Sequence, residues 1–371
     1  MLDPPPLLSV GINAAPLLAP RTGVGRYIAG LLQSLDANPQ PDLRCIPLFA
    51  PRWAIQGTPG GPTGSASVMV RAASLVRAFV KRLPASYDLA QAARAAALAA
   101  RRDLSLYHET NHAAPRFRGP IVVTIHDLAT VRFPETQEAA RARHFARALG
   151  RGAHHAARIA TPTEAIAREV IDVLGLPRDR VRAIPHGVAP GFTPQGARRP
   201  RRRPYVLYVG ALNARKGLDT LLAAFAALPE RLRGEHDLVL AGPREPGAPD
   251  LRHATLLGYV PDADLPALLR SAAAFCYPSL YEGFGLPLLE AMACGVPSVA
   301  SDDPALVEVA AGAALHAPRA DPAALAAALE RALDDQTLRS DLSRLGPLRA
   351  AGFTWERSAS EHLRLYREAL A

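Results

Sequence analysis

Lysine is almost missing from this 371-residue chain: of 43 basic residues only Lys81 and Lys216 are lysines, and the rest are arginine. Alanine runs such as AARAAALAA at 92–100 accompany this bias, which has the look of genomic base composition. A lysine retained against it marks a position that needs one. Cysteine is scarce too. Cys45, Cys276 and Cys294 lie far apart without metal-ligand spacing, which excludes a disulfide framework and suggests reduced thiols in a cytosolic protein. Aromatic residues are only 6% of the chain and no nucleic-acid-binding module appears, so RNA and DNA are not expected partners. No stretch of about 20 apolar residues is free of charge, which argues against a membrane span. The start, MLDPPPLLSV, sets Asp3 and three prolines where a secretory signal would need basic residues and an apolar run, so a cytoplasmic protein is expected.

What remains is ordinary globular composition, 49% hydrophobic and 21% charged, in a chain long enough for two domains with their own cores. The 43 basic residues exceed the 34 acidic ones by nine, and a +9 surface favours anionic partners such as nucleotides or anionic lipid. β runs alternate with amphipathic helical stretches: LLSVGIN, DLRCIPLF, PIVVTIHD, RIATPT and VRAIPHG come first. The polar, basic, proline-bearing QGARRPRRRP at 195–204 interrupts the pattern and reads as a linker. Alternation then restarts with YVLYV, DLVLAGP, ATLLGYV, AAFCYPS and PSVAS. This predicts an α/β protein of two doubly wound parallel-sheet domains, residues 1–198 and 199–354, followed by an amphipathic helix over 355–371 with Leu363, Tyr366 and Leu370 on one side. Ligands of such sheets bind where strand carboxyl ends meet helix starts.

Four loops at those ends carry candidate chemistry. Arg21–Tyr27 places Gly23 and Gly25 between the first strand and helix, either as a tight turn or as a phosphate cradle. Gly210–Gly217 follows the first strand of the second domain and sets Arg215 beside the rare Lys216, two cations matched to a diphosphate. The spacing of a Walker loop is absent. Tyr277–Ala291 runs from a strand through a glycine-rich loop holding Glu282 into a helix that Pro287 starts and Gly295 and Pro297 stop. Glu290 falls on the apolar LPLLEAMA helix, where a carboxylate needs a partner such as vicinal hydroxyls of a ligand. His126 ends IVVTIHD, where it could donate a hydrogen bond to a ligand or carry a proton, with Asp127 as a cap for the next helix. Asp262-Ala263-Asp264 matches the D-x-D of metal-dependent sugar transfer, but it precedes LPALL and is expected to cap a helix. His154-His155, in an arginine-rich helical stretch, reads as surface.

Taken in order, TGVGRY (22–27), TIHDL (124–128), IPHGV (184–188), VGALNARKG (209–217), VLAGP (239–243), LGYVPD (257–262) and YEGFGLPLLEAMACGVPSVAS (281–301) resemble the retaining glycosyltransferases of group 1, family 4. The E-x7-E of the last segment is the most specific of these. The resemblance spans nearly the whole chain. It implies the GT-B fold, two Rossmann-like domains facing a cleft, with the C-terminal helix crossing back to the first domain. It also implies a nucleotide-sugar donor bound mainly by the second domain. Arg215 and Lys216 would hold the diphosphate and Glu290 the ribose. Glu282 and the amides of Gly283, Phe284, Gly285 and Leu286 would hold the donor sugar, with Gly210 in the phosphate loop and Tyr259 and Val260 along the base. From the first domain, Gly23 would approach the phosphates and His126 the sugar. No metal and no cofactor are implied, since the two cations supply the charge. The chain departs from the family at Ala211, where many members carry arginine, and at Ala311-Gly312, where Gly-Asp is usual.

TIHDL with NARKG is similar to bacterial O-antigen and exopolysaccharide mannosyltransferases, which implies GDP-mannose as donor and a saccharide or lipid-linked glycan as acceptor. Other sugar nucleotides (UDP-, ADP- or dTDP-linked) and a non-catalytic nucleotide-sugar-binding subunit stand as alternatives. The intact Glu282 and Glu290 weigh against the latter. A pyridoxal-dependent phosphorylase would need a second-domain lysine other than Lys216, and there is none. Residues 68–82, VMVRAASLVRAFVKR, form a basic amphipathic segment that either rests peripherally on an anionic membrane or is a solvated helix of the first domain.

Overall fold

Short, densely apolar strands, too buried on both faces to alternate, build two parallel sheets. The computed structural model describes residues 7–18, 23–51, 54, 86–134, 139–199, 201–245 and 247–371. Arg21, Thr22 and the basic segment 68–82 lie outside the described residues.

The first sheet and its helices comprise β1 (Leu8–Asn13), α1 (Gly23–Ala37), β2 (Leu43–Leu48), α2 (Ser86–Ala99), β3 (Leu106–Glu109), β4 (Ile121–Thr124), α3 (Ala129–Arg132), α4 (Ala139–His155), β5 (Arg158–Thr161), α5 (Glu164–Leu174) and β6 (Val181–Ala183). The second comprises β7 (Tyr205–Val209), α6 (Leu218–Ala227), α7 (Glu230–Glu235), β8 (Asp237–Ala241), β9 (Thr255–Gly258), α8 (Leu265–Arg270), β10 (Ala274–Tyr277), α9 (Leu286–Ala293), β11 (Ser298–Ser301), α10 (Pro304–Ala310), β12 (Leu315–Ala317), α11 (Pro322–Asp334) and α12 (Gln336–Ala350). A last helix, α13, spans Trp355–Leu370. Strand order is β2-β1-β3-β4-β5-β6 in one sheet and β12-β11-β10-β7-β8-β9 in the other, with every pairing parallel.

The chain divides into two compact units. Unit 1 holds Met1–Pro162, Ile166–Gly187 and Trp355–Ala371, and unit 2 holds Thr163–Ala165 and Val188–Thr354. The division falls at Gly187/Val188, ahead of the basic stretch 195–204. Arg270, buried in α8, fastens that stretch to unit 2: its Nε donates to Ala197 O at 2.8 Å and its Nη1 to Thr193 O at 3.2 Å. A guanidinium has five donors in a fixed fork, so one side chain can pin several turns of irregular backbone.

Within unit 1, α13 buries Ala359, His362, Leu363, Leu365 and Tyr366. Its first residue, Trp355, lies flat against α1 at Gly30, where a Cβ would come within 2.2 Å of the indole. Glycine in mid-helix costs roughly 1 kcal/mol relative to alanine, and here it makes room for the ring. Arg367 fixes the far end with two 2.9 Å bonds to the Asp42 carboxylate. The core of unit 2 surrounds Tyr205, Tyr208, Phe275 and Tyr277, and Tyr208 stacks on Tyr277 at 5.8 Å. Ala311 ends α10 in the left-handed region (φ 45°) and Gly312 follows there (φ 86°). Among the described residues, no helix is long and apolar enough to cross a membrane.

Candidate active site

In the second sheet β7 and β10 are neighbours, yet the chain runs from β7 through β8 to β9 on one side and from β10 through β11 to β12 on the other. A parallel sheet that reverses order in this way opens a crevice at its strand carboxyl ends. The two motif loops leave from these two strands. Gly210 follows β7 directly, its amide bonded to Ala241 O at 2.9 Å. The loop then closes in a 3-10 turn over Ala214–Lys216, and Gly217 takes up the left-handed conformation (φ 67°). A Cβ on Gly217 would sit 2.0 Å from Pro278 O, so the lack of a side chain lets the loop lie directly on the exit of β10.

That approach brings the cations to the glutamate loop. Arg215 Nη1 donates to Tyr281 O at 2.7 Å, and Leu280 N donates to Arg215 O at 2.9 Å. Lys216 is only 9% exposed. Its Nζ donates to Glu282 Oε1 at 2.5 Å and to Tyr277 Oη at 3.5 Å. Glu282 is buried as well; burial pushes its carboxyl up, but Lys216 and then Arg215 outweigh that and hold it below the usual carboxylate range. Glu282 is therefore charged at neutral pH, in a site where charge is expensive unless paired.

From Glu282 the chain passes through Gly283 and the buried Phe284 to Gly285, left-handed (φ 88°) at the N-cap of α9, with Leu286 as the first helical residue. No side chain caps this helix, so its start presents backbone amides and the positive end of its dipole at the same strand exit. Glu290 lies one turn further on, 3% exposed in α9. Tyr259 and Val260 follow β9, two strands from β7. Tyr259 is half exposed, and Val260 packs partly against the core. Lys216 is thus in direct contact with Glu282 and Arg215 with the backbone of Tyr281 beside it, and Gly210, Gly283–Leu286 and Glu290 belong to the same strand ends.

In unit 1, Gly23 is the exposed first residue of α1, with nothing within 4 Å of where a Cβ would stand. β4 ends at Thr124, two residues short of His126. The imidazole Nε2 of His126 bonds Thr110 O at 2.9 Å. A carbonyl only accepts, so Nε2 carries the proton. The neutral ring's single donor is taken by backbone, and Nδ1 is left as an acceptor. Burial lowers the ring's pKa to about 4, so it holds no second proton at neutral pH. In this state a ligand would meet His126 at Nδ1, as an acceptor. Tyr27 packs edge-on against the ring at 4.9 Å. Asp127 does accept the amide of Ala129 at the start of α3, at 2.9 Å.

The D-x-D segment also needs correction. Asp264 stands at the N-cap of α8 but its side chain caps nothing, because its own backbone is already helical (φ −89°, ψ −19°) and cannot aim the carboxylate back at the helix amides. It lies 3.9 Å from Arg199 instead. His154 and His155 are exposed, as expected. Among the described residues, no three His, Cys, Asp or Glu side chains are grouped to hold a metal ion.

The family profile for glycosyl transferases group 1 matches residues 192–349, and that for glycosyltransferase family 4 matches residues 21–192. The O-antigen chain mannosyltransferase B of Escherichia coli is 32% identical, over 95% of this chain and 97% of its own. The chain belongs to the group 1, family 4 glycosyltransferases. A D-inositol 3-phosphate glycosyltransferase of Salinispora arenicola is 33% identical over 70% of this chain and 66% of its own. The sucrose-phosphate synthase of Thermosynechococcus elongatus superposes with a TM-score of 0.72 at 22% identity, covering 97% of this chain and 98% of its own. That likeness gives the glycosyltransferase its fold, GT-B.

Two features of this glycosyltransferase escape the sequence. Asp303 accepts the amide of Glu282 across 21 positions, but in sequence it reads only as a helix cap ahead of Pro304. The histidines His108, His126, His186 and His362 gather around Tyr27, from segments that no local pattern connects.

Proposed function

We propose that this glycosyltransferase is a retaining mannosyltransferase that moves mannose from GDP-mannose onto a saccharide or lipid-linked glycan during synthesis of a cell-surface polysaccharide. The observation that carries the reaction is the meeting of Arg215, Lys216 and Glu282 at the switch point of the second sheet. The full-length similarity to an O-antigen mannosyltransferase supports mannose.

In this reading the donor diphosphate lies against Arg215 and Lys216, Glu290 accepts from the ribose hydroxyls, and Glu282 with the amides at the start of α9 holds the sugar. Tyr259 and Val260 flank the base, and Gly23 and His126 keep the roles the resemblance gives them. As the bond from C1 to the phosphate oxygen breaks, positive charge develops on the sugar and negative charge on the departing diphosphate. Two preorganised cations in a partly dehydrated site stabilise that departure without a metal ion. The acceptor hydroxyl attacks from the leaving-group face, and configuration is retained.

A thermal-shift screen without metal, against GDP, UDP, ADP and dTDP and their sugar conjugates, tests this reading. Ligand at about 100 times its Kd should add roughly 2.7 kcal/mol to the stability, a rise of several degrees. Stabilisation by GDP and GDP-mannose alone is expected. Stabilisation by another nucleotide replaces the donor, and none from any of them removes the donor site.

We place the enzyme in the cytoplasm, peripherally on the anionic inner face of the membrane, on the strength of the basic segment 68–82. It should float with liposomes containing about a third anionic lipid and stay behind with neutral ones. Equal behaviour with both removes the membrane contact.

A further inference from the structure

We propose that Asp303 is a positioning residue for the transfer reaction, one carboxylate oxygen holding the Glu282 backbone while the other anchors α10, so that the Glu282 side chain is presented to the donor sugar. The inference rests on the reading of Glu282 given above.

Asp303 follows β11 and is 1% exposed. Its Oδ1 accepts the amides of Ala305 at 3.0 Å and Leu306 at 3.4 Å, which is an ordinary helix cap. Its Oδ2 does something a cap has no need of: it accepts the amide of Glu282 at 3.3 Å. Two positions earlier, at the last residue of β11, Ser301 Oγ donates to Ser279 O at 2.5 Å. The exit of β11 therefore grips the glutamate loop at two points, before and at Glu282. The Glu282 carboxylate is held by Lys216. Its backbone amide and its carboxylate are thus fixed by different partners.

The arrangement has an electrostatic cost that argues for its purpose. Burial, and then the charge of Glu282, push the Asp303 carboxyl up to about 6. Serine or threonine would cap α10 as well as aspartate does, without setting a second carboxylate beside the first. Only a side chain with two acceptor oxygens at this reach can cap the helix and hold Glu282 N together. The neighbouring charges do not offset the cost directly. Lys216 and Arg215 pair with the glutamate loop, and Asp302 pairs with Arg319 at 3.2 Å.

Asp303→Ser separates the two jobs, because serine keeps the cap and cannot reach Glu282. Glu282→Gln serves as the reference. The probes are GDP and GDP-mannose, or the nucleotide and nucleotide sugar that replace them in the screen above. Binding is read by calorimetry and turnover by release of nucleotide from the sugar conjugate. For Asp303→Ser we expect an unchanged melting temperature, GDP affinity within about twofold of wild type, and a loss of about tenfold in both the sugar-dependent gain in affinity and kcat, the scale of one lost hydrogen bond. Asp303→Glu should not restore the loss, since the longer chain displaces both contacts. If Glu282→Gln abolishes turnover while Asp303→Ser turns over as wild type, Asp303 is a cap and the proposal is overturned. If Glu282→Gln itself turns over as wild type, the reading of Glu282 fails and the proposal with it.

Discussion

Replacing Arg215 and Lys216 together by alanine is expected to lower donor turnover at least a thousandfold. In the proposed reading each removes a cation set against the departing diphosphate, and one such preorganised partner typically contributes about 2.7–4 kcal/mol to the barrier. The two sites are adjacent and share one anion, so their effects will not simply add. Stability must be measured alongside, because Lys216 has a second task. Its Nζ is the buried counter-ion of Glu282. Removing one partner of a buried pair costs about 3–5 kcal/mol, since the other charge is left without compensation. Lys216→Ala alone is therefore expected to lower the urea midpoint clearly. Lys216→Met with Glu282→Gln removes both charges and should recover most of that loss, yet remain inactive. Arg215→Ala, whose guanidinium reaches a backbone carbonyl at 2.7 Å, should be the milder change in stability. A double alanine variant that is folded and still turns over donor at the wild-type rate would end the assignment of both cations.

How much of this site the sequence discloses depends on how local its physics is. The Gly210–Gly217 loop and the E-x7-E segment are legible because glycine and proline punctuate them: Gly217 and Gly285 are needed for left-handed backbone, and Pro287 fits a first helical turn. The rarity of lysine singles out Lys216, and the structure places it against Glu282. β3 is harder to read, because its four residues include His108 and Glu109, polar groups that are fully buried through contacts far away in sequence. Glu109 is held by Asn13 Nδ2 at 2.6 Å, by Tyr107 and by Arg94, none of which a strand pattern can announce. Asp264 and Asp303 make the same point as a pair. Both stand before a helix, but backbone conformation decides that only Asp303 caps, and only tertiary structure supplies its second partner. Capping, turn and period signals are local, whereas the choice of partner for a buried polar group is not.

Acidification should undo unit 1 before unit 2. Tyr27 Oη lies 2.9 Å from Thr124 Oγ1 and 3.0 Å from His362 Nε2, while His108 bridges Thr124 and Tyr366 Oη, each at 2.8 Å. His126 and His186 close the group, and His186 stacks on Trp355 at 6.1 Å. Through His362, Tyr366 and Trp355, these contacts add to the apolar packing and the Arg367–Asp42 pair that dock α13. Burial holds all four imidazoles below the usual histidine value, His126 and His362 at about 4, and His108 and His186 well below that usual value. The unfolded chain binds protons near pH 6.5 that the folded one refuses, so this contribution is complete above pH 6.5 and is lost as pH falls toward 4. For His362 alone the loss over that window is about 3 kcal/mol. Asp303 and Glu109 act in the opposite sense. Burial raises both carboxyls, which favours the folded state as pH falls, for Asp303 from about 6, but they are two groups against five, since burial lowers His112 as well, and of the two only Glu109 belongs to unit 1. Urea midpoints at pH 5 should therefore fall well below those at pH 7.5. Hydrogen exchange at pH 5 should show 355–370 opening while 274–293 stays protected. His362→Gln, which keeps a polar partner for Tyr27 but does not titrate, should flatten the dependence. Equal midpoints at the two pH values, or opening that starts in unit 2, would mean that the histidine cluster does not govern the docking of α13.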